Sequence, residues 1–63
     1  MTDPLALPAE DRRREIFAAL VDAQDRGLSV HASKQDVLAR FGVTWNMVER
    51  IEIEGMDNEW PPL

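Results

Sequence analysis

Cysteine is absent from the 63 residues. That absence removes disulfides, thiolate zinc sites and thiol catalysis together, and it fits a reducing compartment. Histidine occurs once, as His31 between Val30 and Ala32, with no Ser or Asp arrangement around it that suggests a catalytic triad. There is no glycine-rich phosphate loop, and the acids lack the spacing of a calcium loop. No apolar run approaches the roughly 20 residues needed to cross a bilayer. Met1-Thr2-Asp3-Pro4 lacks the basic-then-apolar pattern of a secretory signal, so the expected location is the cytoplasm. Period-two alternation is confined to Leu28-Ser29-Val30, which leaves no strand candidate. A globule this small has little room for a substrate pocket. The expectation is a protein that is not an enzyme and holds no cofactor and no metal.

What is present suits a folded globule: 44% apolar and 30% charged residues. The length allows one domain, which buries only about 60% of its unfolded surface. The formal net charge is −5 and the isoelectric point about 4.6. Nucleic-acid binders draw much of their affinity from Lys and Arg displacing counterions. An acidic chain must therefore concentrate its few cations on one face to bind DNA.

Along the chain, residues 1–7 read as a loose arm, because Pro4 and Pro8 discourage helix before residue 8. Residues 8–26 read as a first helix. Glu10, Asp11 and Glu15 lie in its early turns, and Ile16, Phe17, Leu20 and Val21 form an apolar stripe. Gly27 is a natural stop. Leu28 to Ala32 reads as a connector with Leu28 and Val30 pointing into the core. Residues 33–41 read as a second helix opened by a capping box from Ser33 to Asp36, with Val37, Leu38 and Phe41 buried. Gly42 ends it, and Val43 fills the turn. Residues 44–54 read as a third helix, capped by Thr44, with the apolar positions Met47, Val48 and Ile51 spaced for one face. Gly55 is expected to end it. Residues 55–63 then form a tail whose Trp60-Pro61-Pro62-Leu63 either hooks onto the helices or serves as a docking peptide. The expected fold is an all-α, small three-helix domain with a helix-turn-helix and an irregular C-terminal tail. Its core is Ile16, Phe17, Leu20, Val21, Val37, Phe41, Val43, Val48 and Ile51.

The stretch from Ser33 to Glu52 carries a motif. Its marks are Val37, the turn Phe41-Gly42-Val43-Thr44, then Val48 and Ile51-Glu52. Glycine permits the positive φ of the tight turn, Val43 plugs the gap between helices, and Thr44 starts the next one. In these residues the stretch resembles the helix-turn-helix of sigma-factor region 4 and related bacterial regulators. The resemblance covers about 20 residues. It implies that the outward face of the third helix enters a major groove, and it implies RNA polymerase as a possible partner. Leu38 departs from the pattern, since such motifs place a small residue there.

The outward positions of the third helix are Trp45, Asn46, Glu49, Arg50 and Ile53. Only Arg50 is basic, and Glu49, Glu52 and Glu54 flank it. Two functions remain open. In the first, the chain is a DNA-binding or transcription-associated protein, acting as a homodimer or as a subunit of a larger assembly. Asn46 pairs with adenine and Arg50 with guanine or phosphate, Thr44 and Trp45 touch the strand at the helix start, and Lys34 and Arg40 reach flanking phosphates. In the second, it is an acidic protein–protein module, an adaptor or inhibitor that reuses the scaffold without DNA. Trp45, Glu49 and Trp60 then face a basic partner, with Trp45 reading equally as an exposed anchor or as a ring folded back onto the core. The cluster Arg12-Arg13-Arg14 is either a solvated helix face or a contact for phosphate or an acidic partner.

Overall fold

A computed structural model describes residues 7–63. Most of the arm expected at residues 1–7 lies outside that range, and its last residue, Leu7, packs against the core. The chain forms α1 (Glu10–Asp25), α2 (Val30–Phe41) and α3 (Trp45–Asp57). Each helix packs on the other two, and there is no strand among the described residues. No helix is long and apolar enough to cross a membrane.

Helix α1 begins two residues later than the proline alone suggests. Ala9 is extended at ψ 156° and supplies no side-chain cap, and the first bond runs from the Arg13 N–H to the Ala9 carbonyl at 2.9 Å. Ile16, Phe17, Leu20 and Ala23 are its buried stripe. Its end is set by Gly27 at φ 103°. The Leu28 N–H reaches the Ala23 carbonyl at 3.1 Å and the Gly27 N–H reaches Gln24 at 3.0 Å, the paired bonds of a Schellman stop.

Helix α2 starts at Val30, three residues earlier than expected. Ser29 and Ser33 both suit a cap by residue type, and it is the Ser29 hydroxyl that accepts from the Ala32 N–H at 3.1 Å. Ser33 is then inside the helix and fully buried. Its hydroxyl donates to the Val30 carbonyl at 2.7 Å and accepts from the Gln24 amide of α1 at 3.2 Å. The expected inward placement of Leu28 and Val30 fails with the connector. Val30 is the first helical residue and is 54% exposed, and Leu28, at the Schellman stop, is 40% exposed.

Gly42 closes α2 at φ 68°, ψ 32°, and the Thr44 hydroxyl caps α3 by accepting from the Met47 N–H at 3.2 Å. Gly55 does not end α3. It lies inside the helix, buried, with its Cα face against the Phe17 ring. The stop comes at Glu59, which takes the left-handed φ of 51° usually left to glycine. The Trp60 N–H bonds the Gly55 carbonyl at 2.9 Å and the Glu59 N–H bonds Met56 at 3.3 Å, a second Schellman pair. This geometry returns Trp60 to the helices.

The core is Ile16, Phe17, Leu20, Val37, Val48, Ile51 and Trp60. Val21, Phe41 and Val43, expected inside, pack against it while keeping part of their surface in water, as Leu38 does. Trp60 is 4% exposed and meets Phe17 edge-on, with ring centroids 6.2 Å apart. The tail is therefore a hook, and its tryptophan completes the core.

Candidate functional site

The solvent face of α3 is assembled from its cap onward. Thr44 uses its hydroxyl to hold the first turn. Asn46 and Arg50 stand one turn apart, both exposed. With Leu7, Thr44 and Met47 they line a shallow groove beside the start of the helix. Ile53, a turn further on, is 61% exposed.

Trp45 does not stand out from this face. It is half-buried against the first turns of α2, where the His31 ring lies 5.1 Å away and the Lys34 ammonium 5.5 Å from the indole centroid. Its indole N–H donates to Glu49 at 2.8 Å. Lys34 is also turned inward. Its side chain is only 12% exposed, and Nζ lies 3.3 Å from Glu52 and 3.8 Å from Glu49. Arg40 is half-exposed and pairs with Asp36 at 3.3 Å. Of the residues expected to touch DNA, the fold groups Thr44, Asn46 and Arg50 together and directs Lys34 and Trp45 into the α2–α3 seam. Of those expected to face a protein partner, Trp60 is in the core, and Trp45 and Glu49 keep partial access.

The triple-arginine cluster is divided among three tasks. Arg12 pairs with Glu15 at 2.9 Å and lies over the Phe41 ring. Arg14 pairs with Glu10 at 3.1 Å and covers the Trp60 ring. Arg13 reaches across the fold to Glu54 with two parallel bonds, at 2.7 and 3.0 Å, and donates a third to the Pro8 carbonyl at 2.8 Å. Nothing in the local sequence marks this pair, because the two residues are 41 positions apart.

The Arg13 hydrogen bonds hold the Glu54 carboxyl below the usual glutamate range, against the opposing effect of desolvation. The same bonds raise the pKa of Arg13. Because the folded-state pKa of Glu54 is depressed, the pair contributes stability above the ordinary glutamate range. That stability is lost as pH falls through the lowered value. Glu54→Gln should accordingly lower Tm at neutral pH and flatten the fall of Tm on acidification. Parallel acid profiles for the two proteins, measured by circular dichroism, would show that the pair contributes nothing.

These pairs change the charge of the α3 face. Of the three glutamates that flank Arg50 in sequence, Glu54 pairs with Arg13, while Glu52 and the half-exposed Glu49 share the one cation of Lys34. Six of the seven basic side chains lie within 4.0 Å of a carboxylate. Arg50 is the one basic side chain with no carboxylate that close among the described residues. The chain is thus an all-α, three-helix domain in which, among the described residues, Arg50 is the one arginine on an exposed helix face without a carboxylate partner. No protein-family model, curated protein or solved structure matches it.

Proposed function

We propose that this domain is a small, transcription-associated helix-turn-helix protein that contacts duplex DNA through α3, as one subunit of a dimer or larger assembly. One observation carries the reading: Asn46 and Arg50 share an exposed helix face beside which Glu52 and Glu54 are paired with Lys34 and Arg13. Asn and Arg are the side chains that pair bidentately with adenine and guanine in the major groove. Thr44 lies at the N-terminus of the same helix, where side chains and backbone N–H groups meet phosphates. A single domain with so little free positive charge binds weakly, which is the reason for requiring a second subunit. Association with RNA polymerase rests on the sigma-like turn alone.

The pairing of six cations within the domain favours a second reading, an acidic protein-interaction module that keeps this scaffold without touching DNA. Selection of duplexes from a random-sequence pool separates the two. Under the first reading specific duplexes are enriched, and Arg50→Ala weakens binding to them by about 10- to 100-fold, as expected for one base-reading contact. Few phosphate contacts also imply a shallow salt dependence, with a slope near −0.9 per contact. An unenriched pool, or equal binding by Arg50→Ala, would remove DNA from the account.

A further inference from the structure

On the side of α3 away from the Asn46–Arg50 face, a second groove opens between the C-terminal halves of α1 and α3. Its floor is apolar: Phe17, Leu20, Val21, Met56 and Leu63. Met56 is 60% exposed and Leu63 62%. Asp25 and Glu52 stand on its rim, and no basic side chain is among the residues that line it. Glu52 shares its charge with Lys34, whereas Asp25 has no cation within 4.0 Å among the described residues. Two large apolar side chains so exposed beside one groove offer a contact face on a charged surface.

We propose that this groove docks an amphipathic helix of a partner protein, with its apolar stripe on Val21, Met56 and Leu63 and with lysines or arginines flanking that stripe. The chemistry of the rim selects this occupant. Acids on the rim and a net charge of −5 attract and orient a basic segment. The same acids face one another if a second copy of this chain is placed there. With no sheet among the described residues there is no strand edge to extend, so an extended peptide finds no backbone partners. A flexible methionine in the floor lets the groove adapt to the apolar residues it receives.

The test uses the whole chain and a synthetic helical peptide with leucines at i, i+3, i+4 and i+7 and lysines on both flanks. A twin carries glutamate at every lysine. By calorimetric titration, the lysine peptide should bind and the glutamate twin should not. Met56→Asn and Leu63→Asn alter exposed side chains and should each weaken binding about tenfold. Asp25→Asn should weaken it several-fold, whereas Asp11→Asn, the same change of charge in the first turn of α1, should leave it unchanged. Arg50→Ala should also leave it unchanged, so the result is independent of any DNA contact. Equal losses in Asp25→Asn and Asp11→Asn would reduce the attraction to diffuse charge and overturn the proposal. Undiminished binding by Met56→Asn would overturn it too, as would a homodimer in sedimentation that Met56→Asn dissociates.

Discussion

Replacing Trp60 with alanine should leave much of the chain unfolded at room temperature. A domain of this length holds about 3–9 kcal/mol in all, at the usual value per residue. Trp60 is 4% exposed, lies edge-on to Phe17, and is covered on its outer side by the Arg14 guanidinium 5.2 Å from the ring. Truncating a buried tryptophan to alanine removes about 3–5 kcal/mol, which is comparable with the whole. Trp60→Phe keeps a ring against Phe17 and should lose clearly less. Urea unfolding followed by circular dichroism measures both variants. A loss below about 1 kcal/mol for Trp60→Ala would mean that the three helices close their core without the tail, contrary to the contacts described.

Gly55→Ala should destabilise the domain, against the usual direction of that substitution. Inside an exposed helix, alanine is favoured over glycine by about 1 kcal/mol. Here the added methyl would fall within the Phe17 ring, which is itself 1% exposed and packed edge-on against Trp60 in the core. Overpacking of this kind costs about 1–3 kcal/mol, and more when the neighbour is a rigid ring. Steric conflict therefore wins over propensity, and Tm should fall by on the order of 10 °C. A double-mutant cycle with Phe17→Leu isolates the cause, because the alanine should be better tolerated beside the smaller side chain. A rise in Tm for Gly55→Ala would contradict the close approach of α3 to α1.

The same glycine shows how far a sequence can be read. Gly27, Gly42 and Gly55 each follow an apolar helical stretch, and all three look like stops. Gly27 and Gly42 are stops, at φ 103° and 68°. Gly55 is helical, because its missing side chain serves a contact with Phe17 rather than a turn. Ser29 and Ser33 pose the same ambiguity. Either serine could begin α2. The choice went to Ser29 because Ser33 is taken up in the interior, bonded to Gln24 of α1. Glu59 carried no stop signal at all, since glutamate rarely takes a left-handed φ, and that omission hid the route by which Trp60 enters the core.

The candidate site divides along the same line. Asn46, Arg50 and Ile53 were legible as outward positions, because the spacing of Val48 and Ile51 orients α3. Spacing did not place Lys34 correctly, and for Trp45 it left an outward anchor and a ring folded inward equally open. Their positions follow from an ion pair and a ring contact between α2 and α3, and neither leaves a trace in the local pattern. The acids around Arg50, which in sequence argue against DNA, are paired in part, Glu54 with Arg13 and Glu52 with Lys34, while Glu49 keeps almost half its surface exposed.

By itself, then, the sequence determined the all-α class, the three helices, the two glycine stops and the threonine cap at the α2–α3 corner. Each of these depends on hydrogen bonds and side-chain periodicity within a few residues. Only the tertiary structure decided which charges remain free, why residue 55 is glycine, and that the last tryptophan belongs to the core. Those outcomes depend on contacts such as Arg13 with Glu54 and Phe17 with Trp60, whose partners lie at opposite ends of the chain and meet only when the helices pack.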